Sequence, residues 1–294
     1  MGGEISIDPT AHADLHWYAN GQSAVSGSLL ELSCRLDALF VRFARGWGAR
    51  EYSVPTFLPA RELAKIDYFH SFPQLVTFPV ALDADPENLR RYGAATALDE
   101  SGAVPLFGAA PIRDVLTPAA CYHFYILFQG AALDGPRFLT TRATCYRRES
   151  HYRPLERQWS FSMREIVCIG TEEEVASFLQ TSRERLSGFF QRVGLPVDWQ
   201  DATDPFFDPA RNPRYVFQKV EPVKREMVYE GRLAIGSTNC HKDTFGRAFD
   251  IRRDGLEAFS GCVAFGVERW IYAFLDHFGM NESDWPNLDA EAIE

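Results

Sequence analysis

The sequence predicts an α+β domain, an antiparallel sheet with helices packed on it. Three observations predict it. Two long β-type runs, residues 137–149 and 158–169, face each other across a polar loop. Stretches of helical apolar spacing precede and follow them. No internal repeat and no Pro/Gly/Ser-rich linker divides the 294 residues. At roughly 150 residues per domain the length allows one large domain or two ordinary ones, and the missing linker favours one.

The elements follow in chain order. Residues 1–24 are mixed and polar and read as a loosely ordered lead-in, so the domain proper is assigned to 25–294. From residue 29 to 45, Leu29, Leu32, Leu36, Leu39, Phe40 and Phe43 keep helical spacing. Ser28 reads as its cap, Glu31 completes a capping box, and Gly46 and Gly48 stop it. Pro55 and Pro59 forbid helix over 51–59, which is expected to be extended. Residues 83–104 are charged and Ala-rich, a surface helix and loop. The two β runs enclose a loop at 150–157, too long for a tight turn. Thr171 and Glu174 form a capping box opening a helix to about Arg192, closed by Gly194. Strand-like segments recur at 214–218, 226–229 and 232–235. A buried helix begins at Gly266, runs through Trp270, Ile271, Phe274 and Leu275, and closes at Gly279.

Hydrophobic residues make up 46% and charged residues 24%, a mix that excludes a disordered chain or a fibre. The 40 acidic residues outnumber the 30 basic ones, for a net charge of −10. Binding to nucleic acid rests on neutralising phosphates, so this balance disfavours a large RNA-gripping surface. No run of about 18 apolar residues exists to span a membrane, and the start lacks a signal-peptide pattern. The reading is a cytoplasmic protein. Cys34, Cys121, Cys145, Cys168, Cys240 and Cys262 lie far apart without a CxxC pair, so they read as thiols or metal ligands.

Candidate chemistry begins with Arg147, Glu149, Arg157, Phe161 and Glu165. Alternate side chains of a strand share a face, which groups Arg147 with Glu149 and Phe161 with Glu165. A cation for phosphate, a carboxylate for an exocyclic amine and a ring for stacking make a nucleotide site. The same pattern also describes a solvated face with cross-strand ion pairs. Cys121, Glu165 and Cys262 have no local spacing signature. Each cysteine reads first as a small core residue, although three ligands with an open fourth position would also suit a zinc. Gly266-Val267-Glu268-Arg269 could place an arginine near an anion at a helix start, or be an ordinary strand-to-helix junction.

Taken in order, these segments resemble the three motifs of the class II aminoacyl-tRNA synthetase catalytic domain, closest to seryl-tRNA synthetase. Motif 1 resembles the helix at 29–45 with the extended stretch carrying Pro55. Motif 2 resembles Tyr146-Arg147-Arg148-Glu149, the loop, then Arg157 and Phe161. Motif 3 resembles Gly266-Val267-Glu268-Arg269. The resemblance implies a class II antiparallel sheet flanked by helices and a homodimer built on motif 1. It implies ATP with Mg²⁺, with Arg147 and Arg269 catalytic. Arg147 would hold the α-phosphate, Glu149 the adenine amine and Arg157 the terminal phosphates, with adenine between Phe161 and Arg269. The attack on the α-phosphorus would then be in line, helped by charge neutralisation and positioning.

A finer resemblance is to the zinc-dependent, methanogen-type seryl enzymes. It implies one zinc per subunit on Cys121, Glu165 and Cys262, holding the α-amino group of the substrate. Asn239 matches a residue of the ATP site, but the stretch from Ala234 to Cys240 lacks the leading acidic residue of seryl enzymes. Fewer than 30 residues precede the first helix, so the large tRNA-binding arm is expected to be absent. That combination resembles the bacterial amino acid:[carrier protein] ligases. It implies activation of a small amino acid, glycine or alanine, and transfer to the phosphopantetheine thiol of a carrier protein, with tRNA not a substrate. Two other readings are a minimal seryl-type tRNA synthetase and a silent paralogue that only binds an amino acid or nucleotide. Arg211, Arg214, Lys219, Lys224 and Arg225 form a modest basic cluster that serves tRNA or an acidic carrier equally.

Overall fold

The computed structural model describes residues 7–95 and 97–293. Its centre is a seven-stranded sheet, β1 (Arg50–Glu51), β2 (Arg137–Tyr146), β3 (Ser160–Gly170), β4 (Val197–Ala202), β5 (Lys224–Tyr229), β6 (Leu233–Lys242) and β7 (Phe259–Gly266). The spatial order is β1-β2-β3-β7-β6-β5-β4. The β1–β2 pair is parallel and every other neighbouring pair is antiparallel. β5 turns into β6 through Glu230 and Gly231 at φ 48° and 69°, the two positive dihedrals of a tight hairpin turn. The helices used below are α1 (Gly27–Gly46), α2 (Tyr122–Leu127), α3 (Glu172–Val193), α4 (Pro213–Val220) and α5 (Val267–Phe278).

Strand alternation divides the core. Ile166 and Cys168 of β3, with Val263 and Phe265 of β7, face α1, α3 and α5 and meet Phe40, Phe178, Phe189 and Trp270. Phe40 stacks on Phe265 with ring centroids 4.0 Å apart. Each aromatic side chain buried this way contributes about 1.5–3 kcal/mol over leaving it exposed. Val167, Ile169 and Cys262 point to the opposite face, against Phe124, Tyr125 and Phe245. That second face carries the functional cavity.

The expected long elements form. α3 opens on the Thr171/Glu174 capping box and closes at Gly194 with φ 72°. α5 runs between Gly266 and Gly279, and the helix Pro86–Ala94 has no buried residue. Three expectations fail. Within the lead-in, Leu15–Tyr18 and Gln22–Val25 pair as a β-hairpin. Ser28 does not cap α1: the N-cap is Ser26, which makes no side-chain capping bond. Asp14 of the hairpin replaces it, accepting the Ser28 amide at 2.9 Å and its hydroxyl at 2.8 Å. Residues 214–218 are not a strand but part of α4, capped by Asn212 with Pro213 at its first position.

Candidate active site

One cavity of 410 Å³ opens on the second sheet face. Arg147, Glu149, Arg157, Phe161, Arg269 and Asn239 line it, as do Cys121, Glu165 and Cys262. The nine residues that the resemblance assigns to ATP or zinc therefore border one space.

Its inner end is a cluster of two thiols and a carboxylate. Ligand atoms of Cys121, Glu165 and Cys262 lie within 4.8 Å of one another, all three residues buried. Cys121 precedes α2, Glu165 sits mid-β3 and Cys262 lies on the adjoining β7. β7 pairs with β3 so that Ala264 faces Glu165 and Cys262 faces Val167, which puts the two side chains on one face, diagonally adjacent. Glu165 Oε1 accepts the amides of Ala120 at 2.7 Å and Cys121 at 3.2 Å, tying the Cys121 segment to the sheet. Burial, then the Cys262 charge, push the Glu165 carboxyl up to about 8. A hydrogen bond from Cys121, with His241 and Asn239 behind it, holds the Cys262 thiol well below its ordinary range despite burial. The donor chemistry fits zinc: soft thiolates and one carboxylate, three ligands in a closed setting with cavity on the fourth side.

The outer part holds cations. Arg147 donates Nε to the Pro118 carbonyl at 2.9 Å, and its guanidinium lies 5.3 Å from the Phe161 ring centroid. Arg269 donates to the carbonyls of Glu156 at 2.7 Å and Ala234 at 2.8 Å. Among the described residues neither arginine has a carboxylate partner. Burial, then the charges of Arg147 and Arg157, hold the Arg269 guanidinium below its ordinary value. Mutual repulsion of this kind is relieved by a polyanion. Arg157 is paired with Glu149 at 2.8 Å. Glu268 accepts the Ser162 amide through both oxygens at 2.9 Å, which pins the start of α5 to β3.

Several placements differ from the sequence reading. β2 ends at Tyr146, so Arg147 and Glu149 reach the cavity from the following loop, not by strand alternation. Phe161 and Glu165 do share a face of β3, as expected. Gly266 is not forced by crowding: a Cβ there would meet nothing nearer than 3.7 Å. Gly236 is the tight position, where a Cβ would come within 2.6 Å of the Ala264 carbonyl oxygen. Asn239 directs its amide at the Cys262 sulfur, 3.3 Å away, and at the Ser237 hydroxyl, 3.1 Å away.

Sequence reasoning missed two residues, Tyr125 and His241. His241 Nδ1 lies 3.0 Å from the Tyr125 hydroxyl, and Nε2 lies 3.7 Å from the Cys262 sulfur. Period-2 spacing from Asn239 on β6 was the signal that could have found His241. Tyr125 had none.

Comparison with known proteins places the fold. The family model described as the tRNA synthetase class II core domain (G, H, P, S and T) matches residues 113–278. The chain is 32% identical to amino acid–[acyl-carrier-protein] ligase 1 of Bradyrhizobium diazoefficiens, over 95% of this chain and 88% of that protein. It is 28% identical to the type-2 serine–tRNA ligase of Methanopyrus kandleri, over 88% of this chain but only 53% of that protein. It therefore spans about half of that longer relative. A chain in the crystal structure of A. aeolicus tRNASec with M. kandleri SerRS superposes with a TM-score of 0.78 at 21% identity. That match covers 93% of this chain and 57% of the other, and shows a shared fold. With its α+β class II core established, the chain belongs to the amino acid–[acyl-carrier-protein] ligase family of the class II tRNA synthetase core domain, and it is a ligase.

Proposed function

We propose that the protein activates a small amino acid, glycine or alanine, with ATP and passes it to the phosphopantetheine thiol of a carrier protein. One observation carries this reading. A single cavity joins a buried Cys–Glu–Cys cluster to two arginines that have no carboxylate partner. Its two ends ask for different groups, an amine-bearing substrate on the cluster and phosphates on the arginines.

Cys121, Glu165 and Cys262 would hold zinc, which when bound supplies a Lewis-acid anchor for the substrate α-amino group. Arg147 faces the α-phosphate of Mg²⁺-ATP, Phe161 stacks adenine against Arg269, and Glu149 accepts from its exocyclic amine. Arg157 is free to reach the terminal phosphates once Glu149 turns to the base, and Asn239, whose amide meets the Cys262 sulfur, borders the same cavity. The substrate carboxylate forms a bond to the α-phosphorus as the bond to the β-phosphate side breaks and pyrophosphate leaves. In the second step the carrier thiol sulfur bonds to the carbonyl carbon, AMP leaves, and the thiol proton is lost.

The space behind the cluster supports a small side chain. Tyr125 stacks on Phe245 with centroids 3.8 Å apart, and His241 packs edge-on to Phe245 at 4.9 Å. These packed rings narrow the room beside the cluster, and small pockets reject large substrates sterically. The basic cluster is largely paired within the chain, which leaves little free charge to grip a tRNA backbone and makes the cavity, not the cluster, the support for a carrier. Arg225 pairs with Asp201 at 3.0 Å, Lys224 with Glu226 at 3.1 Å and Arg211 with Asp208 at 3.6 Å. The cavity rim also carries apolar Phe72, Phe206 and Phe217, which suits a thiol-ended arm. The homodimer expected from motif 1 and a cytoplasmic site of action complete the proposal. All six cysteines are free thiols, which supports a reducing compartment. No helix among the described residues is long and apolar enough to cross a membrane.

The test is incubation with ATP, Mg²⁺, each small amino acid and a phosphopantetheinylated carrier protein, read by intact-mass spectrometry. Carrier mass rising by one aminoacyl group, with no charging of tRNA, is the expected result. Charging of tRNA instead would favour the minimal synthetase, and no product with either acceptor would favour the silent paralogue.

A further inference from the structure

Cys262 sits on β7 beside β6, and the pairing between these strands is broken at one point. Asn239 faces Cys262 and Cys240 faces Gly261, but the next pair is Lys242 with Ser260. His241 is the extra residue of a β-bulge, without a backbone partner on β7. Lys242, which follows, has φ 51°, a left-handed conformation that a non-glycine residue adopts only when the surroundings impose it. Bulges re-aim side chains next to sites.

The side chain so placed is held on three sides. Nδ1 lies 3.0 Å from the Tyr125 hydroxyl and 3.2 Å from the Ser260 hydroxyl. Phe245 packs edge-on against the ring and itself stacks on Tyr125. The free nitrogen, Nε2, points at the Cys262 sulfur from 3.7 Å. His241 is not among the three residues whose ligand atoms converge within 4.8 Å.

We infer that His241 is a positioning residue for the metal centre, aiming the Cys262 sulfur at the ion by an Nε2–H···S hydrogen bond that Tyr125 fixes from the far side. The inference deepens the zinc reading above and rests on it. The Tyr125 hydroxyl donates to Nδ1, which leaves the ring proton on Nε2 to donate to sulfur. Asn239 Nδ2 donates to the same sulfur from 3.3 Å. With two N–H donors on one side, the remaining sulfur lone pair is directed toward Cys121 and Glu165. Loss of such outer partners of a metal ligand weakens metal binding by about 10–100-fold.

The measurement is the zinc dissociation constant of the full chain by chelator competition, backed by the thiolate-to-cobalt absorption of the Co²⁺ form. His241→Phe fills the ring box without an N–H donor, and His241→Gln keeps a donor. The expected result is zinc binding weakened about 10–100-fold in His241→Phe and restored to within about threefold of the parent in His241→Gln. Tyr125→Phe keeps the ring stack and removes only the hydroxyl. It should weaken zinc in the same direction by a smaller factor, and it carries the test if His241→Phe does not fold. If the ring merely packs, His241→Phe binds zinc as tightly as the parent, or in its absence Tyr125→Phe does, and the inference is overturned. A parent protein that binds no zinc overturns the metal reading as well, which separates the two failures.

Discussion

The guanidinium of Arg147 lies over the face of Phe161, 5.3 Å from the ring centroid. Both residues border the space assigned to ATP, and one face of a ring accepts one flat group at a time. Adenine stacking on Phe161 therefore uses the other face or displaces the arginine toward the phosphates. Base–aromatic stacking is worth about 1–3 kcal/mol. Phe161→Ala should raise KM for ATP about tenfold or more while kcat changes little, because stacking binds ground and transition states alike. Steady-state kinetics with varied ATP measures the split, and a fall in kcat at unchanged KM would place Phe161 elsewhere.

Arg147→Ala should behave in the opposite way. A preorganised charge on a transferring phosphoryl group acts most in the transition state, so kcat for pyrophosphate exchange should drop about 10²–10³-fold. Arg147→Lys should recover little, since a point charge cannot keep both the Pro118 carbonyl bond and a forked phosphate contact. Exchange within threefold of the parent in the alanine variant would remove Arg147 from the reaction.

Arg164 tests how α1 is fastened to the sheet. It is buried on β3, donating to both Asp37 oxygens of α1 at 2.9 and 2.8 Å and to Glu51 of β1 at 2.9 Å. Removing one partner of a buried pair leaves an uncompensated charge. Arg164→Ala should lower unfolding free energy by about 3 kcal/mol, the low end of such losses because Glu51 is half exposed. Urea denaturation reads it, and a change below about 1 kcal/mol would mean that Asp37 is satisfied by Arg142, 3.9 Å away, alone.

Glu174 makes stability depend on acid. Burial pushes its carboxyl up, but the Thr171 amide and Arg253 outweigh burial and hold it below its ordinary value of 4.5. A carboxyl lowered by folding stabilises the native state above its unfolded value, and that contribution fades as pH falls through the folded value. Parent and Glu174→Gln should differ by about 0.5–1 kcal/mol at pH 7. The gap should close as pH drops below 4.5, and a gap that persists there would show that charge is not its source.

How much was legible depended on how local the cause was. The α3 capping box and Gly194 are written within a few residues, and so is the apolar period of α1. The start of α1 was misread because its cap is Asp14, supplied by a hairpin of two four-residue strands too short to leave a pattern. The segment Arg214–Gln218 is rich in the β-formers Tyr215, Val216 and Phe217, and only Asn212-Pro213 ahead of it announced the helix. No periodicity links Cys121, Glu165 and Cys262, since the β3–β7 register brings the last two together and the Glu165 carboxylate holds the Cys121 segment to them. Resemblance to a family named them, and the fold shows why they meet. For His241 the period-2 spacing from Asn239 was legible, but the bulge that aims it is a property of two strands, not of one.

The central claim is that the Cys–Glu–Cys cluster and the arginines form one activation site. Amino-acid-dependent ATP–pyrophosphate exchange, run over all standard amino acids on zinc-loaded and chelated protein, tests it most directly. The account predicts exchange with glycine or alanine that disappears on chelation and returns with zinc. Exchange indifferent to zinc would contradict the cluster's role, and silence across the panel with zinc bound would contradict activation itself.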